Sequence, residues 1–399
     1  MKNYDCIVIG AGAAGLFYAA GDSTDSDKLI LEKTSRPGQK LLMSGSGMCN
    51  LTHAGSIKDF IGKYGEHGQR IRSCLYRHNN LALRSAMEAM GVPTTERPDG
   101  KVFPTSMKAR DVLNALIAKA QHNGWRFRYH AGVTALAVTE TGAHLTLTDG
   151  SMLTTKKLII ATGGSSYPDT GSDGSFFDIS HRDLGLCIVS PRPALAPVYV
   201  EHYLYSDLSG ISFDDVEVSC AGHKCRGPLL FTHKGFSGPA ILHISQYVNP
   251  GSLLHINYLP ARNINQVYQK IQADHPGSKT GIANYIATEF GLPKAFVNTM
   301  FTEPSRKLST IGHKELENVT RQMMDRVYHI SGTGGWNDAM VTAGGVCLDQ
   351  IDLKTMSLNT KKESLTGADI RIIGEALDIN GDTGGYNLQF AYSSAMAAL

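Results

Sequence analysis

The sequence predicts an α/β protein in which a Rossmann-like dinucleotide-binding domain carries two insertions, one rich in β-strands and barrel-like, the other small and helical. Three observations support this prediction. A strand pattern at Tyr4 to Ile9 runs directly into the glycine-rich stretch GAGAAG. A strand followed by glycines returns at LIIATGG, and strand, loop and helix return near the end of the chain. Between these returns the periodicity changes to short strands and then to helices.

The overall composition limits the class of protein. The 399 residues, 42% of them hydrophobic and with a formal net charge of +2, are typical of a globular protein of two or three domains. No apolar run approaches the roughly 20 residues of a membrane span. Seven scattered cysteines without a C-x-x-C pair favour a reducing compartment and give no metal-ligand spacing. We therefore expect a cytoplasmic protein with no metal and no membrane contact.

The first βαβ unit explains the opening glycines. Gly10 makes the tight turn, Gly12 lets the backbone approach a pyrophosphate, and Gly15 lets the following helix pack against the strand. The second strand, LILE, ends at Glu32, 22 positions after Gly10, where a carboxylate can accept hydrogen bonds from a ribose. Strand, turn, helix and acid together predict a bound dinucleotide.

The later elements follow from periodicity and turn residues. We expect an irregular loop over 33–53, helices over 68–91 and 107–122, and then strands in WRFRYH, VTALAV, AHLTLT and KKLIIATGG. Short strands follow from 191 to 258, and helices from 263 to 325. The predicted domains are a split dinucleotide-binding domain (1–190 with 335–399), a β-rich substrate domain (191–260 with 305–334) and a helical insertion (261–304).

The order of these elements favours FAD over NAD. A simple NAD-dependent dehydrogenase would continue in a regular βαβ series, whereas this chain enters a long loop and returns to the sheet late. A flavin needs such distant segments because its isoalloxazine ring lies far from the first turn. We therefore expect FAD as the cofactor.

Several motifs carry a more specific resemblance. They are VIGAGAAGL, RPGQKLLMSGSGMCNLT, ATGGSSYPDTGS, GPLLFTHKGFSGPAIL, VTAGGV and GEALDINGDTGGYNLQFA. In these, the chain resembles the BaiN/YhiN family of FAD-dependent flavoproteins, of the two-dinucleotide-binding type. That family includes an aminoacetone oxidase, a bile-acid reductase and a protein linked to dihydrouridine formation in ribosomal RNA. The chain departs from many members at Ser46 and Met48, where they carry Asn and Arg.

The resemblance implies a set of cofactor-binding residues. They are Gly10, Gly12, Ala13, Ala14, Gly15, Glu32, Lys33, Arg36, Gln39, Lys40, Asn50, Val133, Ala161, Thr162, Gly163, Glu375, Asp378, Gly385, Tyr386 and Asn387. Either Glu375 or Asp378 would bind the ribityl hydroxyls, and the helix after Gly385 would direct its N-terminus at the flavin. For Arg36, Gln39 and Lys40 the alternative is a solvated loop, and for Val133 a core position.

The resemblance also implies residues that face the substrate. The catalytic candidates are His233, Tyr386, Thr342 and Cys49, with Asn50 and Thr232 beside them. His233 is the first candidate for a base, because histidine titrates near neutral pH. A structural histidine in a turn is the alternative for His233, and a small buried residue is the alternative for Cys49.

The sequence is compatible with three functions. The first is oxidation of aminoacetone or a similar small amine by O2, giving methylglyoxal, ammonia and H2O2. The second is reduction of an activated C=C bond, as in a dehydro bile acid, by NAD(P)H, which would have to visit the flavin because only one dinucleotide fingerprint is present. The third is reduction of a uridine in RNA. Four arginines, at 70, 72, 77 and 84, could face RNA, but the low net charge counts against that partner. We favour the oxidase, and the sequence leaves the oligomeric state open.

Overall fold

The computed structural model describes residues 2–359 and 365–399. Within it the chain divides into two compact units. The first comprises Met1–Pro193 and Ala339–Leu399, and the second Ala194–Asp338. The two segments of the first unit are thus separated in sequence by the whole of the second.

The described residues form a series of α-helices along the chain. They are α1 (Ala13–Gly21), α2 (Gln39–Met43), α3 (Ile57–Ile61), α4 (Gly68–Arg77), α5 (Asn80–Ala89), α6 (Ala109–His122), α7 (Ser175–Leu184), α8 (Pro239–Ile244), α9 (Ile264–Asp274), α10 (Ile282–Phe290), α11 (Lys294–Asn298), α12 (His313–Met324), α13 (Gly335–Asp338) and α14 (Tyr386–Ala397).

The β-strands of the described residues are mostly short. They are β1 (Lys2–Ile9), β2 (Lys28–Leu31), β3 (Thr52–His53), β4 (Thr94–Glu96), β5 (Lys101–Pro104), β6 (Trp125–Arg128), β7 (Val133–Thr139), β8 (Gly142–Leu147), β9 (Met152–Ile160), β10 (Ile188–Ala194), β11 (Val198–Val200), β12 (Ser212–Cys220), β13 (His223–Phe231), β14 (Phe236–Ser237), β15 (Leu253–Asn257), β16 (Arg326–Thr333), β17 (Val341–Val346), β18 (Ile351–Asp352), β19 (Ser357–Leu358) and β20 (Asp369–Ile372).

The first unit is built on a sheet in the order β18-β19-β20-β9-β1-β2-β6, with β7 and β8 attached beside β9. Strands β20, β9, β1, β2 and β6 run parallel. All four residues of β2 are buried, as expected for a parallel strand covered on both faces. Helix α1, itself largely buried, packs against α6 and α14. The predicted Rossmann-type α/β architecture is confirmed.

The strand register aligns the ends of four strands. Ile9 of β1 pairs with Leu31 of β2 and with Ile160 of β9, and Ile160 pairs with Ile372 of β20. The segments that leave these four strands therefore begin side by side at one edge of the sheet. In an open parallel sheet this carboxyl edge is where ligands bind.

The second unit is a closed six-stranded barrel in the order β11-β14-β13-β12-β15-β16. Its interior is filled by aromatic and branched side chains, among them Phe213, Phe231, Phe236 and Tyr328. Helices α9 to α12 lie in the connection between β15 and β16. The helices assigned to an insertion thus belong to the same compact unit as the barrel.

Two predicted elements are wrong in detail. The helix over 68–91 is two helices, α4 and α5, because His78 leaves the helical conformation and the Asn79 side chain caps α5 by accepting from the N–H of Ala82 at 2.9 Å. The loop over 33–53 contains α2, which begins after Gly38 in a left-handed conformation and packs against α6. Sequence periodicity could not reveal a helix of five residues.

Candidate functional site

The three glycines after β1 have separate roles in the structure. Gly10 adopts a φ of +102°, and a β-carbon there would lie 2.5 Å from the carbonyl oxygen of Ala161. A β-carbon on Gly15 would overlap the carbonyl of Gly10. Gly12 is different, because nothing lies within 4 Å of the position that its β-carbon would occupy. The fold requires the first and third glycines, whereas the second faces open space that a ligand could fill.

The N-terminus of α1 opens onto the same turn. Gly12 provides no side-chain cap and the first turn carries no acidic residue. Ala13 and Ala14, the first helical residues, are small, so the free backbone N–H groups stay accessible. An uncapped helix start of this kind attracts an anion through its N–H groups and the helix dipole. The turn therefore fits a pyrophosphate.

Glu32 follows β2 and is held in a fixed orientation. Its Oε2 accepts from the N–H of Ala11 at 3.0 Å, and its Oε1 accepts from the N–H and Oγ1 of Thr34 at 2.9 and 2.8 Å. The residue is 8% exposed. A carboxylate has about four acceptor positions, so one remains for a ribose hydroxyl.

The neighbours of Glu32 come from two other segments. The Nζ of Lys33 lies 2.5 Å from Asp173, so its charge is paired. The backbone of Glu32 accepts from the N–H of Ala131 at 2.9 Å, which brings the start of β7 at Val133 towards this end of the site. Val133 is half-buried. Lys33 and Val133 thus lie near Glu32, as a role beside the adenine would require.

The second glycine segment follows β9. The N–H of Ala161 donates to the carbonyl of Ile9 at 2.9 Å, which continues the parallel pairing by one residue past the strand. Thr162 comes next, and Gly163 then adopts a φ of +74°. A β-carbon on Gly163 would lie 3.0 Å from the hydroxyl of Ser172. This segment therefore runs beside the first glycine turn, where the resemblance places a cofactor contact.

Glu375, just after β20, joins three segments. The Nζ of Lys40 lies 2.7 Å from its Oε2, and its Oε1 accepts from the N–H of Thr342 at 2.8 Å and from the hydroxyl of Ser166 at 3.2 Å. Thr342 is fully buried, and its Oγ1 accepts from the N–H of Ser165 at 2.7 Å. The Thr342 side chain therefore supports this network rather than presenting a free hydroxyl to a substrate.

Asp378, three residues later, has different partners. Its Oδ1 accepts from the N–H of Gly344 at 3.1 Å, and its Oδ2 lies 3.4 Å from Nε2 of His67. The hydrogen bond to Asp378 raises the pKa of His67. Both acids of the GEALD segment are thus anchored at this edge, Glu375 to a lysine and Asp378 to a histidine. Both remain candidates for binding the ribityl chain.

The segment after α2 reaches the start of α14. With its amide oriented to satisfy its neighbours, Asn50 donates to the carbonyl of Thr52 at 2.9 Å and accepts from the N–H of Gly385 at 3.1 Å. Gly385, at φ +96°, would collide with the Thr52 backbone if it carried a β-carbon. The structure thus brings together two predicted cofactor residues that are far apart in sequence.

Cys49 and Tyr386 lie beside this junction. Cys49 is fully buried, and burial raises the pKa of its thiol to about 11, so it is protonated near neutral pH and is not an activated nucleophile. The Tyr386 ring stacks on His53 with centroids 5.5 Å apart and packs edge-on against Phe60. Burial raises the pKa of Tyr386 to about 12, so the phenol can donate a proton in a hydrogen bond but cannot serve as a base.

The other predicted residues of the first unit have simpler settings. Asn387 accepts from the N–H of Gly381 and donates to its carbonyl, both at 2.8 Å, and so fixes the loop before α14. The helix start at Gly385 has no side-chain cap and no acid in its first turn. Arg36 is exposed, and Gln39 is the first residue of α2.

His233 and Thr232 lie in the second unit, in the turn between β13 and β14. His233 is exposed at the turn. Thr232 closes the turn, because its Oγ1 donates to the carbonyl of Gly235 at 2.9 Å. The Thr232 side chain therefore stabilises the turn.

Arg97 is a residue that the sequence analysis missed. Its guanidinium lies 4.2 Å from the Phe103 ring centroid, and its Nη2 lies 3.4 Å from the Met48 sulfur. Within residues 2–359 and 365–399 no ion pair to Arg97 is found. Only its position in a β-hairpin next to the segment after α2 makes it notable, and no motif in the sequence marks it.

The arginines considered as an RNA surface are mostly engaged. Arg70 pairs with Asp349 at 2.6 Å, Arg84 pairs with Glu96 at 3.6 Å, and Arg77 donates to a backbone carbonyl at 3.2 Å. Only Arg72 of the four is an exposed side chain for which no such partner is found among the described residues. Two of the four charges, those of Arg70 and Arg84, are therefore paired with carboxylates.

The described residues fit a dinucleotide rather than a metal. No group of three or more His, Cys, Asp or Glu side chains in the described chain could hold a metal ion. Two uncapped helix starts, an open glycine position and an anchored carboxylate suit the phosphates and hydroxyls of FAD. Among the described helices, none has the length and apolar character needed to span a membrane.

Comparisons with known proteins identify a family that matches this chain and relatives of similar length. Residues 4–399 match the family model described as HI0933-like protein Rossmann domain. The chain is 31% identical to a ribosomal RNA dihydrouridine synthase of Escherichia coli (strain K12) over 405 residues, covering 100% of this chain and 97% of that protein. It is 25% identical to a 3-dehydro-bile acid delta(4,6)-reductase of Clostridium scindens, covering 98% and 97%.

A solved structure shows the same fold. A 3-ketosteroid-delta4-(5alpha)-dehydrogenase from Rhodococcus jostii RHA1 aligns with a TM-score of 0.51 at 14% identity, covering 100% of this chain and 97% of that one. At this identity the likeness concerns the fold alone. The whole-chain match confirms the resemblance in the sequence motifs: the chain belongs to the HI0933-like family, which includes the BaiN/YhiN-type FAD-dependent oxidoreductases.

Proposed function

We propose that this protein binds FAD and reduces a carbon–carbon double bond conjugated to a carbonyl, in a uridine of RNA. The observation that carries the proposal is the 31% identity, over the whole chain, to a protein named for dihydrouridine formation in ribosomal RNA. The relative from Clostridium scindens is also named a reductase. The described site supports the proposal because its open positions suit a dinucleotide cofactor.

Each segment at the carboxyl edge has a role in this proposal. The turn around Gly12 and the start of α1 bind the pyrophosphate, and Glu32 accepts from the adenosine ribose. The start of α14, held by Asn50, directs its N-terminus at the flavin. When bound, FAD supplies hydride transfer.

Tyr386 and Arg97 are the residues we assign to the substrate side. With a pKa raised to about 12, the Tyr386 phenol keeps its proton at neutral pH and can donate a hydrogen bond to a carbonyl. The guanidinium of Arg97, for which the described part of the chain provides no ion-pair partner, favours an anion over a cation nearby. An RNA phosphate satisfies that preference, whereas a protonated amine does not.

Oxidation of aminoacetone, which the sequence analysis favoured, is the competing function. None of the relatives named above is called an amine oxidase. The charge of Arg97 also counts against a cationic substrate, since like charges repel. The two functions differ in what reduces the flavin, which a single experiment can decide.

The experiment follows flavin absorbance under anaerobic conditions. Purified protein reconstituted with FAD is mixed separately with NADH, NADPH and aminoacetone. We expect NADH or NADPH to bleach the flavin and aminoacetone to leave it oxidised. Bleaching by aminoacetone alone, followed by H2O2 release when O2 is admitted, would overturn the reductase proposal. Gly12→Ala is the control for signals from free FAD, because its glycine lies in the proposed pyrophosphate site.

A further inference from the structure

Ser172 carries a buried hydroxyl that has no hydrogen-bond partner among the residues the structure describes. The residue is only 7% exposed. Burying a hydroxyl without a partner costs free energy, so native structures rarely leave one unpaired unless a ligand or water completes it. The sequence motifs assign no role to Ser172.

The surroundings of Ser172 point to the cofactor site. Its Oγ lies 3.0 Å from the position that a β-carbon on Gly163 would take, and Gly163 is in the glycine segment after β9. On the other side, a β-carbon on Gly171 would lie 3.5 Å from Oε1 of Glu32. Ser172 is therefore flanked by the residue proposed to bind the adenosine ribose and by the second glycine segment.

The residues on either side of Ser172 are held by hydrogen bonds and an ion pair. The N–H of Gly171 donates to the carbonyl of Pro168 at 3.0 Å, and the N–H of Gly174 donates to the carbonyl of Gly164 at 3.0 Å. Asp173 pairs with Lys33 at 2.5 Å. These contacts fix the backbone on both sides of Ser172 and so hold its side chain between Gly163 and the Glu32 end of the site.

We propose that the Ser172 hydroxyl donates a hydrogen bond to the adenosine diphosphate half of bound FAD. This inference rests on the FAD binding proposed above and adds a residue to that site. It predicts opposite effects of one substitution in the two states of the protein. Removing the hydroxyl relieves an unpaired group in the free protein but removes a donor in the complex.

The test compares Ser172→Ala with a matched control, Ser245→Ala in the second unit. Ser245 is also buried, at 2% exposed, but its hydroxyl has partners: its Oγ donates to the carbonyl of Leu242 at 2.7 Å and accepts from the N–H of Ala196 at 3.1 Å. Thermal unfolding of the FAD-free protein gives Tm, and calorimetric titration with ADP and with FAD gives Kd.

We expect Ser172→Ala to raise the Tm of the FAD-free protein by about 2 °C. The same substitution should raise the Kd for ADP and the Kd for FAD equally, by about tenfold. Ser245→Ala should lower Tm and leave both Kd values unchanged. Ser172→Cys keeps the approximate shape of the side chain, but a thiol is a poor hydrogen-bond donor, so this variant should also bind ADP more weakly. Unchanged ADP affinity in Ser172→Ala, or a Tm lowered as in Ser245→Ala, would overturn the assignment. If the unmodified protein binds neither ADP nor FAD, the proposed function fails as well.

Discussion

Two glycine-rich segments of the first unit, the turn after β1 and the segment after α2, differ in how their glycines are used. In the turn after β1, Gly10 and Gly15 are required by the fold and Gly12 is free of contacts. In the segment after α2, positive φ angles occur at Gly45, Ser46, Gly47 and Cys49, so a glycine is not present at every left-handed position. The first segment has the properties of a phosphate site. The second segment connects α2 to β3, and the guanidinium of Arg97 lies beside it at Met48.

The largest effect expected within this comparison is from Gly15→Ala. A β-carbon at this position overlaps the backbone carbonyl of Gly10, and neither backbone segment can move without separating α1 from β1. We expect a loss of roughly 3 kcal/mol or more in the free energy of unfolding. Urea unfolding of the FAD-free protein measures it. A loss below about 1 kcal/mol would show that the helix and turn can separate freely.

Gly12→Ala should affect FAD binding and not the stability of the fold. Nothing lies within 4 Å of the new methyl group, and Gly12 has a φ of −79° that alanine adopts without strain. We expect the free energy of unfolding to be unchanged or to rise by about 0.5 kcal/mol. FAD binding should weaken at least tenfold, because the methyl group occupies the space for the pyrophosphate. Retention of full FAD affinity would remove the turn from the proposed site.

Arg97→Met tests whether the basic residue beside the segment after α2 contacts RNA. We expect this variant to bind FAD normally but to bind a uridine-containing RNA more weakly, with the slope of log K against log salt reduced by about 1. Lys101→Met is the matched control, because Lys101 is already paired with Asp99 at 2.6 Å. Equal changes in the two variants would indicate a general charge effect and not a contact from Arg97.

The smallest effect concerns the thiol of Cys49. Its pKa is raised to about 11 by burial, so the thiolate fraction is very small near neutral pH and rises only as the pH approaches that value. In the folded protein we expect a thiol reagent at pH 8 to modify the exposed Cys187 and leave Cys49 unmodified. Mass spectrometry of the digested protein identifies the labelled residues. Rapid labelling of Cys49 would restore it as a reactive candidate.

The sequence predicted those parts of the site that depend on local rules. The motif around Gly10 to Gly15 specifies its own turn and helix, so β1, α1 and the position of Glu32 were recognisable without a structure. Parallel pairing then explains why the segments after β9 and β20 lie beside them. The family match confirmed the fold class to which these elements belong.

Contacts between distant segments could not be predicted in this way. The pairing of Lys40 with Glu375, the bond from Gly385 to Asn50 and the position of Arg97 depend on tertiary packing, which has no periodicity in the sequence. Thr342 appeared as a substrate contact in the motif, but its hydroxyl serves the backbone of the segment after Gly163. The individual roles of the site residues stay predictions until they are tested.

The most direct test of the account is the product formed on RNA. Purified protein, FAD and NADPH or NADH are incubated anaerobically with ribosomal RNA lacking dihydrouridine, and the digested nucleosides are analysed by mass spectrometry. The account predicts a nucleoside heavier than uridine by two hydrogens, formed only with the reduced nicotinamide present and reduced in amount in Gly12→Ala when FAD is limiting. RNA that stays unmodified while aminoacetone is turned over to methylglyoxal and H2O2 would contradict it.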